Sequence, residues 1–372
     1  MAPEWAQWNE TAAARAWTVG VEEEVMLLEP VDWRLAHRAD EVLPRLARRL
    51  AARVSRETHS SALEIQTGPH ERVAEVATEL STSRAELADA LEGIGLRAAV
   101  AGLHPFAVWS DTQVSSGDRY QRLYGSMREL ARREPTFALH VHVALPDPET
   151  AIVAMGRIAA HLPLLLALSA NSPFWQGRDT GLASTRTPLF QAFPRVGIPR
   201  SFTDYHDYVQ AVDLLLRCEA IPDPTFLWWD VRLQPSLGTL EVRIMDAQTS
   251  VADTRALAAL VQALVHTEAQ LPLERDDLRC RPEVLVENRF LAARDGMEAR
   301  LIDPDAGRRR PARELLSETL QLCRESAHEL DCTAELDHMA ALSDHPGSSR
   351  QLVLAQSGDK LPGLVASLAD AF

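Results

Sequence analysis

The chain has 372 residues, 46% hydrophobic and 24% charged, which are ordinary proportions for a folded domain. Its 38 Lys and Arg against 53 Asp and Glu give a net charge of −15, which excludes non-specific binding to nucleic acid or to an anionic membrane and suits a protein that works with cations. The four cysteines, Cys218, Cys280, Cys323 and Cys332, show no C-x-x-C spacing, so neither a thiolate zinc cage nor a disulfide framework is expected, and a reducing cytoplasm is the expected compartment.

The amino-terminal stretch MAPEWAQWNE has neither the basic start nor the apolar core of a leader. The first strand follows at Val19–Leu28, where apolar residues surround Glu22, Glu23 and Glu24. Two carboxylates about 5 Å apart repel by roughly 3 kcal/mol at an effective dielectric near 20. Such a cluster therefore needs water, a paired cation or a bound metal. Further two-residue alternation predicts strands at Ala62–Thr67, Phe137–Ala144, Leu227–Leu233 and Thr239–Asp246. The last two are joined by the turn QPSLG as a β-hairpin. Helical spacing predicts helices within Glu71–Ala99, Thr150–Ser169, Asp204–Glu219, Ser250–Thr267 and Ala312–Leu330. The longest apolar run, Leu162–Ala170, is too short to span a bilayer. The expected class is α+β, a curved and mostly antiparallel sheet with helices on one side. A single domain over residues 1–372 is expected, with a loop at GRRRP and a helical layer from about Gly307.

Side chains alternate faces along a strand. Sorted that way, Glu22 and Glu24, Glu64 and Gln66, His140 and His142, Asp230 and Arg232, and Glu241 and Arg243 each oppose an apolar face. A half-buried sheet normally turns Lys, Thr, Ser and Gln to solvent. Here the polar faces carry Glu, His, Asp and Arg and no Lys, which points to a site. Glu22, Glu24, Glu64, His142 and Glu241 form a carboxylate-rich set suited to Mg²⁺, or Mn²⁺, rather than zinc. Glu23 faces the other way, with a helix-borne Arg or a strand bulge as its two explanations.

Asn171–Arg200 holds four prolines and three glycines, so no regular element is expected there. Its Arg178, Arg186, Arg195 and Arg200 stand against the single acid Asp179. Guanidinium grips carboxylate and phosphate in bidentate fashion. There is no P-loop, no dinucleotide-binding glycine fingerprint and no nucleophile elbow. His59, in ETHSSALE, reads as part of a polar turn entering a strand.

In chain order, GVEEE, LEIQTGP, HVHV, SPFWQGRDTGLASTRTP and WWDVRLQPSLGTLEVRIMD resemble the YbdK-type carboxylate–amine ligases. These are the second family of glutamate–cysteine ligases, within the glutamine-synthetase-like superfamily. The likeness runs from about Thr18 to Val265, with weaker echoes in ENRFLAARDG and GSSRQ. The chain departs from the family at Ala138, Ala144, Leu182 and Thr185, which alters the expected pocket shape. The resemblance implies an ATP- and Mg²⁺-dependent ligase that forms an amide through an acyl phosphate, with glutamate–cysteine joining as a weak activity. On that reading Glu22, Glu64, Arg232 and Arg243 bind the nucleotide and its metals. Arg243 stabilises the transferring phosphoryl group, Arg178 and Arg186 clamp the acid, and Asp230 orients Arg232 or takes the amine proton. Small carboxylates and amines, amino acids among them, are the expected partners, with a homodimer as the expected assembly. Two other readings fit the same residues: a metal-dependent amidohydrolase, and a non-catalytic nucleotide- or amino-acid-binding relative.

Overall fold

A computed structural model describes residues 3–133, 135–271, 278–357 and 361–372; the first two residues of the amino-terminal stretch lie outside them. Its centre is a seven-stranded sheet. In chain order the strands are β1 (Val19–Leu28), β2 (Val54–Arg56), β3 (Ala62–Gln66), β4 (Arg97–Ala99), β5 (Ala138–Ala144), β6 (Val231–Gln234) and β7 (Thr239–Asp246). The spatial order is β6-β7-β5-β1-β3-β2, with β4 pairing the far end of β1, and every pairing is antiparallel. Sheet neighbours β1 and β5 thus meet across more than a hundred residues of chain, a pairing that local pattern alone does not reveal.

The apolar face is what the alternation predicts. Val21, Leu63, Leu139, Val141, Val231, Leu240 and Val242 are all essentially inaccessible. The helices Val73–Glu92, Pro148–Ile158, Leu162–Ser169 and Val251–Gln270 pack on the sheet. Asp147 and Ser250 cap two of them by accepting from the Thr150 and Ala252 N–H groups, which satisfies donors that a helix start leaves open. The apolar run predicted at Leu162 is the third of these helices, buried along its whole length. Among the described residues no single helix is long and apolar enough to cross a membrane.

Three expectations change. The Leu227–Leu233 strand breaks at Asp230: Trp228–Trp229 pairs in parallel with Val196–Gly197, while only β6 joins the main sheet. The loop from Asn171 holds regular structure after all, in a small hairpin (Phe174–Trp175 with Arg178–Asp179) and a short helix, Arg186–Phe190. GRRRP is not a loop but one strand of a hairpin, Arg308–Pro311 against Arg300–Asp303. The helices that follow, from Ala312 onward, pack against the Val251–Gln270 helix and β4. Their buried side chains belong to the same continuous apolar core as β1.

Candidate active site

The register sets the polar face in rows. Glu22 of β1 lies opposite His140 of β5 and Gln66 of β3, and Glu24 lies opposite Glu64. Glu241 of β7 lies opposite both His142 and Arg232. Four strands therefore deliver their acids and imidazoles to one patch, and β6 adds Arg232. Three groups of side chains there have ligand atoms within 4.8 Å of one another: Glu24, Glu57 and Glu64; Glu22, His142 and Glu241; and Glu22, Glu64 and His140.

The electrostatics divide the patch. Burial, reinforced by the neighbouring Glu57, pushes the Glu24 carboxyl up to about 8. Burial likewise raises Glu57, and it raises Glu64 well above the usual range, with Glu22 adding to it. These three cannot all ionise without a cation among them. At the other end, burial is outweighed for Glu241 by the Arg232 and Arg243 guanidinium groups, which hold it well below the usual range. Burial is outweighed again at Glu22, lowered by His142 and His140. His140 is pushed down to about 4 by burial and by Arg243, so it is neutral and able to ligate at neutral pH. His142 is raised against the effect of burial by Glu241 and Glu22. Its Nδ1 meets Thr239 Oγ1 at 3.0 Å, while its buried Nε2 has no hydrogen-bond partner. An orphaned imidazole nitrogen 3.5 Å from Glu22 and 3.8 Å from the buried Glu241, on a floor that also groups Glu24, Glu57 and Glu64, is a donor set that fits hard divalent cations.

Two cavities flank this floor and share Glu22 and Gln66. The first, about 370 Å³, is lined by Glu22, Glu24, Glu57, Glu64, His140, Arg186, Arg232 and Arg243 and by a wall of apolar side chains. The second, about 360 Å³, is lined by Glu22, Gly20, Thr67, His142, Thr239 and residues of the amino-terminal segment, Arg15 among them. β7 bulges between Val242 and Met245, a device that re-aims a strand side chain. Arg243 stands at that bulge, donates to Glu241 and lines the first cavity. Arg232 is committed to Glu241 at 2.6 Å and to the Leu227 and Thr225 carbonyls at 2.8 and 3.1 Å.

Of the sequence-derived candidates, Glu22, Glu24, Glu64, His142, Glu241, Arg186, Arg232 and Arg243 converge on the floor and its rims. Arg178 does not: it is exposed on the small hairpin and lines neither cavity. Asp230 does not orient Arg232; it accepts 2.6 and 3.2 Å bonds from Arg289 of the Pro282–Asp295 helix. Glu57 was not legible, because it lies in irregular chain just past the end of the three-residue β2, outside any predicted strand. His140, ranked behind His142 by pattern alone, stands as close to the acids as its neighbour.

The sequence profile of glutamate–cysteine ligase family 2 matches residues 18–367. The chain belongs to that family. It is 40% identical over 350 residues, 93% of the chain and 92% of the relative, to a Rubrobacter xylanophilus protein carrying the provisional name glutamate–cysteine ligase 2-1. A Gloeobacter violaceus relative with a similar provisional name is 36% identical over 94% of the chain and 95% of its own length. Membership makes this an ATP-dependent ligase that joins a carboxylate to an amine. Among solved structures, the bifunctional glutathione synthetase of Pasteurella multocida superposes on 97% of the chain with a TM-score of 0.71 at 13% identity, the match spanning 53% of that longer protein. The glutamate–cysteine ligase of Francisella tularensis, solved with AMP, matches 95% of the chain and 87% of its own length with a TM-score of 0.68 at 13% identity. Both share the fold, a glutamine-synthetase-like sheet.

Proposed function

We propose that this family member couples ATP hydrolysis to amide formation through an acyl phosphate, with Mg²⁺ or Mn²⁺ on the floor and glutamate–cysteine joining as a slow activity. The observation that carries the reading is the convergence of Glu22, Glu24, Glu57, Glu64, His142 and Glu241 between two cavities, with Arg186 and Arg243 at the rim of one. Glu24, Glu57 and Glu64 would hold one cation, and Glu22, His142 and Glu241 a second. Such cations would screen the phosphate charges that the acidic floor would otherwise repel.

The chain's own part is positional. The two cavities open onto Glu22, one for the nucleotide and the other for the acid and amine, so that an acid oxygen and the γ-phosphorus can meet in line. Arg243, held by Glu241, presents positive charge where the transferring phosphoryl group gathers negative charge. Arg186 faces the acid or the amine substrate. The free amine then attacks the acyl carbon, phosphate leaves, and the amide remains. We assign the protein to the cytoplasm as one ligase unit over residues 1–372; no disulfide occurs among the described residues. The test is ADP release from purified protein with ATP, Mg²⁺ and paired panels of acids and amines. Release that requires both partners, with a condensed product by mass spectrometry, supports the reading; ADP release indifferent to any amine overturns it.

A further inference from the structure

The two cavities differ in a way that bears on what is joined. The second has no Phe, Tyr or Trp in its lining. The first has, facing its acidic floor, a wall of Leu123, Met127, Phe190, Phe193, Phe226 and Trp228. That wall is built rather than incidental. Tyr120 donates to the Arg56 carbonyl at 2.6 Å, and His59 Nε2 meets the Ala131 carbonyl at 3.1 Å, tying the Asp118–Met127 helix and its extension to the strand entry. Phe190 and Phe193 stack edge to face at 5.2 Å, and the Arg195 guanidinium lies 5.1 Å over the Trp228 ring. Arg186 and Phe190 share one short helix, one turn apart, with the guanidinium 5.7 Å from the ring centre. Arg186 is buried, bonds the Ile244 and Arg243 carbonyls at 3.1 and 3.4 Å, lies 3.6 Å from Asp246, and keeps its buried Nε without a hydrogen-bond partner. Two further cations line that cavity: Arg119 lies over the Phe226 ring and 3.8 Å from Asp223, and Arg56 lies 2.9 Å from Asp40.

We propose that the amine acceptor is an amino acid with an apolar, branched or aryl side chain, its carboxylate on Arg186 and its side chain against Phe190, Phe193 and Met127. The assignment rests on the ligase reading above and narrows it. A buried guanidinium that lines the cavity with one donor unpaired, beside an apolar wall, matches the two ends of such an acceptor, and the wall's apolar side chains offer nothing to a second carboxylate. In the step itself the α-amino nitrogen forms the bond to the acyl carbon. The carbon–oxygen bond to phosphate breaks, and the departing phosphate takes the proton that the amine loses.

The experiment uses the full chain with ATP, Mg²⁺, a fixed acid and the common L-amino acids as acceptors, reading ADP and product mass. Leucine, methionine or phenylalanine is expected to exceed glycine, serine and cysteine in kcat/KM by about tenfold or more. Phe193→Ala is expected to cost those apolar acceptors about tenfold through acceptor KM, and Phe193→Leu less, with the KM for ATP within about twofold in both. A ranking led by small or charged acceptors overturns the proposal. So does a Phe193→Ala variant whose ATP KM rises while the acceptor ranking stands, because the wall would then seat the nucleobase. Absence of amide product with every pair overturns the ligase reading as well as this one.

Discussion

Glu23 and Arg84 form a two-bond ion pair beneath the sheet, at 2.8 and 2.7 Å, with side chains 0% and 1% exposed. Glu23 is the one member of the acidic triplet that points away from the site, and Arg84 comes from the Val73–Glu92 helix to meet it. The guanidinium also donates to the Gln248 and Thr249 carbonyls at 2.8 Å each, so its donors hold both the strand and the segment leaving β7. Removing one partner of such a pair leaves an unmatched buried charge. Glu23→Ala is expected to lower unfolding free energy by about 3–5 kcal/mol, read from the urea midpoint, without direct loss of a floor ligand.

The carboxylate triad predicts a metal-dependent stability. Glu57→Gln removes one of three acids that repel each other by roughly 3 kcal/mol per ionised pair at an effective dielectric near 20. It is expected to leave Tm in chelator unchanged or raised, to abolish most of the Tm gain on adding Mg²⁺, and to cut ADP release at least about a hundredfold. A variant that keeps both the Mg²⁺ response and the turnover would remove Glu57 from the site.

Stability in chelator is expected to fall as pH rises. Glu24, with its folded value near 8 set by burial and Glu57, binds a proton in the folded state that the unfolded state has lost. Its contribution is therefore full below the ordinary carboxylate range and disappears as pH climbs through 8. Glu57, Glu64 and His142, also raised, act in the same direction. His140, lowered to about 4, acts oppositely but only below its unfolded value near 6.5. Between pH 6.5 and 8 Glu24 alone should contribute a loss of about 1–2 kcal/mol, and saturating Mg²⁺ should flatten the whole slope. Chemical denaturation at fixed pH values, with and without the ion, measures both slopes.

Arg186 owes its position to Asp246. That carboxylate lies 3.6 Å from the Arg186 guanidinium and accepts from Asn171 N at 2.9 Å, Ser172 Oγ at 2.7 Å and Ser184 Oγ at 3.0 Å. It thereby closes both ends of the segment between residues 171 and 186. A Cβ at Gly102 would come within 2.6 Å of it, so Gly102 makes room for the carboxylate. Asp246→Asn is expected to lower kcat/KM by about 10- to 100-fold, with KM for acid or amine rising more than KM for ATP. Equal effects on all three would mark a general loosening instead.

Arg178 and Arg243 separate the loop from the site. Arg178→Ala is expected to leave ADP release within about twofold, as an exposed surface change does. Arg243→Ala should cost about a hundred- to a thousandfold in kcat, the scale for removing one transition-state charge partner.

The sequence by itself determined the strands and their faces. β1 and β7 run over the residues that alternation marks, and the acids, imidazoles and arginines stand on the polar face as alternation places them. A side chain's face depends only on backbone geometry two residues at a time, so the pattern is local and readable. The ordered motifs carried the family for the same reason. Only the tertiary structure decided the partners. Glu57 sits in irregular chain just past a three-residue strand, too short for a periodicity to betray it. Asp230 is claimed by Arg289 from a helix 59 positions away, and Arg178 is carried out to solvent by a hairpin hidden inside a proline-rich stretch. Which charge meets which, and what wall faces the floor, follows from pairings between distant segments; those are settled by packing the whole core at once, and no short window of sequence contains them.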